Sequence, residues 1–342
     1  MPDLAELTTL RLGGPATRYV PVADADQLVA AVTEADAAGE PVLLVGGGSN
    51  LVVADEGFAG TVVHLTGGGV DVVAGANDDR VAVTVAAGEP WDGFVARAVT
   101  EGWTGIEALS GIPGTTGATP VQNVGAYGQE VAQTISSVRV WDRVLRGMRT
   151  FTGEECLFSY RHSRFKADPR RHLVLDVTFE LTPGTLSAPV AYAELARALG
   201  VEVGERAPLA DVRDAVLGLR RGKGMVLDAD DHDTWSAGSF FTNPFVDAAS
   251  VPEGAPSYPQ ADGRVKTSAA WLIEHAGFGK GFGLDRPGAR VSLSTKHTLA
   301  LTNRGGASAG ELLALAREVR DGVRARFGIE LVNEPVLVGC TL

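Results

Sequence analysis

Apolar residues in the first third of the chain fall into two alternating periods. Leu28, Ala31, Val32 and Ala35 recur at helical spacing, Asp24 is placed to cap the start and Gly39 the end, so a helix is expected over 24–38. The run PVLLV at 41–45 is uniformly apolar, as a buried strand is, and LVVADEGFAGTVVHL at 51–65 reads as strand, turn, strand. VAVTV at 81–85 alternates as a half-buried strand, and a short helix over 91–101 closes at Gly102. SVRVWD at 137–142 and LVLDVTFEL at 173–181 are strand candidates, and helices are expected at 190–199 and 208–221. The polar, turn-rich stretch 225–237 marks a boundary. Beyond it, 268–276 and 308–327 read as helices, while TLALTN (298–303) and IELVNEPVLVG (329–339) read as strands. Helices and strands mix without strict βαβ alternation, which makes the chain α+β. No internal repeat or low-complexity tract is present.

Two glycine-rich stretches interrupt this pattern: Gly46-Gly47-Gly48-Ser49-Asn50, and GIPGTTGATPVQNVGAYG from Gly111 to Gly128. Glycine lets a backbone approach a ligand without a Cβ clash, and successive N–H groups in such a turn cradle anionic oxygens. Two cradles suit a long anionic ligand such as a dinucleotide. The first is not a Rossmann turn, because Leu51 stands where the last glycine is required, and it lacks the lysine of a Walker loop. Its phosphate contacts are therefore expected from loop amides between strands. The alternative is a tight connection with no ligand. The second stretch offers Thr119, Gln122 and Asn123 as polar groups among Ile112, Val121, Val124 and Tyr127, and is either functional or a structural Ω-loop.

At 342 residues the chain can bury a large core and hold two or three domains. Its net charge of −12 repels nucleic acid and anionic membrane, so an anionic ligand requires a local cationic patch. Only five of its 30 basic residues are lysine. Cys156 and Cys340 give neither a metal spacing nor a CxxC, and no metal site is expected. The acidic start MPDLAELTTLRLGG lacks the basic and apolar regions of a signal peptide, and no run reaches membrane-spanning length, so a cytoplasmic protein is expected.

Four further segments carry possible chemistry. Ser239, between Gly238 and two phenylalanines, is a turn residue or a proton donor in a dry pocket, and is not a Gly-x-Ser-x-Gly elbow. Arg161, in YRHSR, lies at a solvated strand end or clamps a carboxylate with its guanidinium fork. Glu334, in LVNEPVLVG, faces water at a strand edge or sits half-buried, where desolvation favours its neutral form. Lys223 suits a helix C-terminus or a phosphate contact.

Together these segments resemble the UDP-N-acetylenolpyruvoylglucosamine reductase family. VGGGSNLVV, the Ile-Pro-Gly to Gln-Asn-Val-Gly-Ala-Tyr-Gly stretch, YRHSRF, AGSFFTNP, YPQADGRVKTSAAWLIE and NEPV occur in the family's order over nearly the whole chain, and AYAEL around Tyr192 is similar to its longer, type I form. The resemblance implies a vanillyl-alcohol-oxidase-type (PCMH-type) FAD-binding fold. Residues 1–68, with the tail 337–342, would form one flavin-binding subdomain, 69–227 a second, and 228–336 a substrate-binding domain. It implies non-covalent FAD, NADPH as co-substrate, and reduction of UDP-N-acetylglucosamine enolpyruvate to UDP-N-acetylmuramate by hydride transfer from flavin N5 to C3. Gly46, Gly47, Gly48, Ser49 and Asn50 would take the pyrophosphate. Ile112, Pro113, Gly114, Gly117, Ala118, Thr119, Asn123 and Gly125 would wrap the pyrophosphate and flavin, with Ala118 standing where a small hydroxyl residue is common. Ser239 matches the residue that protonates C2, and Arg161 and Glu334 match those that stabilise the carboxylate. Tyr127, Tyr192, Lys223 and Asn243 match substrate-binding positions. A monomer that binds neither nucleic acid nor membrane is expected. On the residues alone two rivals stand: an oxygen-dependent sugar or alcohol oxidase of the same flavin fold, with His64 the one histidine near a glycine loop, and an FAD-binding protein with a dead active site.

Overall fold

The computed structural model describes residues 2–73 and 79–342. The chain divides into two compact units, one of Arg18–Gly47 and Gly60–Arg221, the other of Met1–Thr17, Gly48–Ala59 and Gly222–Leu342.

The first unit is built on an antiparallel sheet. Its strands lie in the order Gly147–Thr152, Ile135–Asp142, His172–Pro183, Val81–Ala86 and Val70–Val73, with Trp103–Thr104 pairing beside His172–Pro183. The alternation of VAVTV sends Val83 and Val85 inward, opposite Phe179 and Val177 of the neighbouring strand. The Trp91–Thr100 helix lays Trp91, Phe94, Val95 and Ala98 on that face, and Trp91 and Phe94 meet Phe179 at ring distances of 5.7 and 5.2 Å. Each such ring removed from water contributes roughly 2–3 kcal/mol. A second sheet orders Ala16–Val22, Phe58–Leu65 and Val42–Val45, the last two parallel, under the Ala25–Ala37 helix. Asp24 caps that helix by accepting from the Gln27 N–H at 2.8 Å.

In the second unit the Ala309–Phe327 helix carries the core. Leu312, Ala316, Val319 and Val323 line its buried stripe against Leu10, Leu12, Val52, Phe240 and Phe241. Ser308 and Glu311 form a capping box, and Asp55 accepts from the Ala309 and Gly310 N–H groups at 2.8 and 3.2 Å. Val336–Val338 runs parallel to Leu51–Val53. The strand expected over 329–339 is thus only its last third. Pro335, which has no N–H, precedes that piece, and residues 332–334 are tied instead to Phe240, Phe241 and Thr242 by single backbone contacts.

Candidate functional site

The two glycine stretches meet within the first unit. A methyl on Gly47 would lie 2.7 Å from Gly114 Cα, and one on Gly46 only 2.2 Å from Thr115 Oγ1. No side chain fits on either glycine there: Gly47 meets the Gly114 backbone and Gly46 the Thr115 side chain. Gly46 is held from behind: His64 hydrogen-bonds its backbone, and the Tyr19 hydroxyl lies 2.7 Å from His64 Nδ1. Burial lowers the His64 pKa and outweighs the opposing effect of its bond to Gly46, so the ring is neutral near pH 7. In the second unit Gly48, at φ 57°, packs on the Leu7 carbonyl, which a methyl would approach to 1.8 Å.

The rest of the long loop is more ordered than its glycine content suggests. Thr116–Ala118 is a 3₁₀ turn, with the Gly117 N–H on the Ala87 carbonyl at 2.8 Å and the Thr119 hydroxyl on the Thr116 carbonyl at 2.8 Å. Gly117 is glycine because a methyl would sit 2.5 Å from Ala87 Cβ. Ala118 is exposed. Ile112 packs on the first unit's core, and the Trp91 N–H donates to the Gly114 carbonyl at 3.0 Å. Gly125–Ala126 and Gln129–Glu130 then form a two-residue hairpin whose tip, Tyr127 and Gly128, has φ of 49° and 87°. This is the positive-φ pair that right-handed strand twist favours.

Tyr127 at this tip meets Tyr192 edge-to-face at 5.6 Å, and Tyr192 stands just before the Ala193–Leu199 helix. A residue that sequence patterning missed supports both. Glu107 is 1 % exposed and accepts from the Gly105 N–H at 2.6 Å, the Gln129 side-chain amide at 2.9 Å and the Ala188 N–H at 2.7 Å. It joins the hairpin to the segment that leads to Tyr192. A lone glutamate in WTGIEALSG carries no pattern that would reveal this.

Arg161 occupies a tight turn closed by the Ser159–His162 bridge, at φ 53°. Its guanidinium donates to the Gly125 carbonyl at 2.8 Å and, less closely, to the Asn123 carbonyl at 3.4 Å. Its own carbonyl accepts from Lys166 Nζ at 3.0 Å.

The second unit brings Ser239, Glu334 and Asn50 together along the backbone. The Glu334 N–H donates to the carbonyl of Phe240, the residue after Ser239, at 2.8 Å. The Asn50 carbonyl accepts from the Val336 N–H at 2.9 Å, and the Asn50 side-chain amide reaches the Glu334 carbonyl at 3.5 Å. Ser49 is half-buried beside Asn50. Asn243 Oδ1 accepts from the Ala269 N–H at 2.9 Å, which fixes the direction of its amide NH₂. Lys223 follows the end of the Leu209–Gly222 helix and is half-buried. Pro113 is likewise half-buried, in the turn before Gly114. Among the described residues no cluster of three His, Cys, Asp or Glu could hold a metal ion, and no helix is long and apolar enough to cross a membrane.

A surface made from two glycine turns, with neighbouring strands rather than a helix N-terminus behind it, fits the phosphates and ring of a dinucleotide. The fold and these turns define an FAD-binding protein: residues 16–145 match the FAD binding domain family. Residues 230–338 match the family UDP-N-acetylenolpyruvoylglucosamine reductase, C-terminal domain. The UDP-N-acetylenolpyruvoylglucosamine reductase of Cutibacterium acnes is 59% identical over 99% of this chain and 90% of its own length. That of Thermobifida fusca is 58% identical over 99% and 97%. The chain belongs to the UDP-N-acetylenolpyruvoylglucosamine reductase family. The crystal structure of UDP-N-acetylenolpyruvylglucosamine reductase from Thermus caldophilus shares its fold, with a TM-score of 0.67 and 24% identity over 98% of this chain and 97% of that one. The expected α+β fold of the vanillyl-alcohol-oxidase type is thereby borne out.

Proposed function

We propose that this chain is the NADPH-dependent flavoenzyme that reduces UDP-N-acetylglucosamine enolpyruvate to UDP-N-acetylmuramate in peptidoglycan synthesis. The observation that carries this reading is the 59% identity over 99% of the chain to a reductase of that name. The backbone cradle at Gly46, Gly47, Gly114 and Thr115 supports it. In this reading Gly46–Asn50 and the loop through Gly125 hold FAD, which when bound supplies the redox chemistry by taking hydride from NADPH and giving it to substrate C3.

The protein residues then handle charge and the proton. Hydride arriving at C3 leaves negative charge at C2 and on the adjoining carboxylate. The Arg161 fork matches a carboxylate in shape and sign, and a donor fixed in advance is worth most where charge develops. Glu334 acts on the same carboxylate. Ser239 Oγ hands its proton to C2, which completes the addition of H⁻ and H⁺ across the double bond. Tyr127, Tyr192, Lys223 and Asn243 hold the sugar and diphosphate. Lys223 and Arg161 give an acidic chain the positive field that such a ligand requires.

We also propose three functional regions, 1–68 with 337–342, 69–227 and 228–336, in a cytoplasmic monomer that keeps off membranes and nucleic acid. The net charge of −12 supports the last point.

The test is anaerobic. The purified yellow protein is reduced with NADPH and mixed with UDP-N-acetylglucosamine enolpyruvate. Rapid reoxidation is the expected result. No reoxidation, with prompt oxidation by air, would overturn it in favour of an oxidase.

A further inference from the structure

The side chains of Arg161 and Glu130 meet at Gly125. Arg161 donates to the Gly125 carbonyl at 2.8 Å and to the Asn123 carbonyl at 3.4 Å. Asn123 is 1 % exposed and sits at φ 47°, a left-handed conformation that asparagine tolerates better than most residues. Its side chain is fully engaged. The amide NH₂ donates to Glu130 Oε2 at 2.8 Å and to the Ser159 carbonyl at 3.1 Å, and Oδ1 accepts from the Ala132 N–H at 3.1 Å.

Glu130 lies directly across the hairpin from Gly125. A methyl on Gly125 would be 2.7 Å from Glu130 Cγ and 3.4 Å from Arg161 Nη1. Glu130 is held in turn by a reciprocal capping box with Gln133, whose side chain accepts from the Glu130 N–H at 3.0 Å. Ser163, two residues after Arg161, ties the same turn to the long loop by donating to the Val121 carbonyl at 2.5 Å.

Asn123 therefore does two things at once. It presents one of the carbonyls that receive Arg161, and through Ser159 it anchors the turn on which Arg161 sits. Of the three partners that hold the Asn123 rotamer, Glu130 is the one side chain, and it makes the shortest of the three bonds. We propose that Glu130, acting through Asn123, is a positioning residue for Arg161, setting where the guanidinium meets the substrate carboxylate. This rests on the assignment of Arg161 given above. The physical basis is that a misplacement of about 1 Å in a substrate-orienting group can lower the rate of the step it serves by about 100-fold. The brace touches the group that meets the enolpyruvyl substrate, so its loss acts on one half-reaction.

The experiment compares Glu130→Ala, Glu130→Gln, Arg161→Ala and the double variant Glu130→Ala/Arg161→Ala. Three quantities are read: the rate of flavin reduction by NADPH, the rate of reoxidation by UDP-N-acetylglucosamine enolpyruvate, and the affinity for UDP-N-acetylmuramate by calorimetry with NADPH absent. Glu130→Ala is expected to weaken product binding and slow reoxidation about 10-fold, leaving reduction within about twofold. Glu130→Gln retains an acceptor for Asn123 and should restore reoxidation to within about twofold of the parent. In the Arg161→Ala background, Glu130→Ala should add less than about twofold, because residues that act as a unit are not additive. Equal slowing of both half-reactions, or full multiplication of the two effects, would overturn the proposal. Normal reoxidation in Arg161→Ala alone would instead overturn the assignment of Arg161.

Discussion

Glycines 46, 47 and 114 show why composition pointed to a ligand and where that inference stopped. The glycines are required by the contact of the two loops, since a methyl at Gly47 would lie 2.7 Å from Gly114 Cα. That contact is what leaves the backbone uncovered. Gly47→Ala should therefore fold but weaken FAD at least about tenfold, measured by the flavin fluorescence recovered on dilution. Undiminished affinity would mean that the loop contact has no part in holding the cofactor. Ser239 gave a weaker signal from sequence, because a serine after glycine is usually a turn residue. The backbone places it next to Glu334 through the bond from the Glu334 N–H to the Phe240 carbonyl at 2.8 Å. Ser239→Ala should leave NADPH-driven flavin reduction intact and slow reoxidation by substrate at least about 100-fold. Collapse of the first half-reaction with a normal second would remove the proton-donor role.

Among the elements, the helices were the most legible. Asp24, Gly39 and Ser308 act through their own side chain or positive φ, so their signals are local. The hairpin at 125–130 escaped notice because its turn residues are Tyr127-Gly128 rather than the usual Asn-Gly, and each strand is only two residues long. Register gave no warning of the buried charges on the Ile135–Asp142 strand either. The Asp142 side chain is enclosed and accepts from Arg171 and from the Val144 and Leu145 N–H groups. Burial alone would raise its pKa, but the bonds from Arg171, Leu145 and Val144, with the Arg171 charge, bring it down to about 2. His172 lies 3.7 Å from that carboxylate, edge-on to Phe151 and Phe165, and neither of its ring nitrogens has a hydrogen-bond partner. Burial lowers its pKa more than the Asp142 charge raises it.

Both shifts destabilise the fold in acid, in successive windows. The unfolded chain takes up a proton on His172 first, so stability falls below about pH 6.5; the Asp142 contribution, full above about pH 4, is lost as the pH falls toward 2. His172→Phe should keep the ring contacts and flatten the loss of Tm that begins as the pH falls below about 6.5. An unchanged slope there would show that other groups govern it. Asp142→Asn should lower stability at neutral pH by roughly 2–4 kcal/mol, read by urea titration, because Arg171 loses its enclosed partner.

For the molecule as a whole, the α+β class was legible from the mixture of helices and strands, and the family from the order of motifs. The interleaving of the two units was not. Residues 2–17 and 48–59 belong with 222–342, and nothing local in Leu10, Leu12 or Val52 says which distant core they enter. A fragment of residues 222–342 should therefore remain unfolded by circular dichroism. It lacks those three buried side chains, the Leu51–Val53 partner of Val336–Val338, and the Asp55 carboxylate at the Ala309–Phe327 helix start. A cooperative melt from that fragment would show that the early segments are dispensable.

The pairing of Val336–Val338 with Leu51–Val53 also bears on how the protein is made. A strand near the start of the chain waits for one that the ribosome delivers nearly three hundred residues later. At about 5–20 residues per second, that wait is on the order of 14–57 s. Until residues from Ala237 onward emerge, Leu10, Leu12 and Val52 lack their cover, while the segments of the other unit, complete by Arg221, are free to fold. The early apolar residues of this chain are thus a natural landing place for a nascent-chain chaperone, and slowing translation near the end should increase aggregation more than slowing it near the beginning.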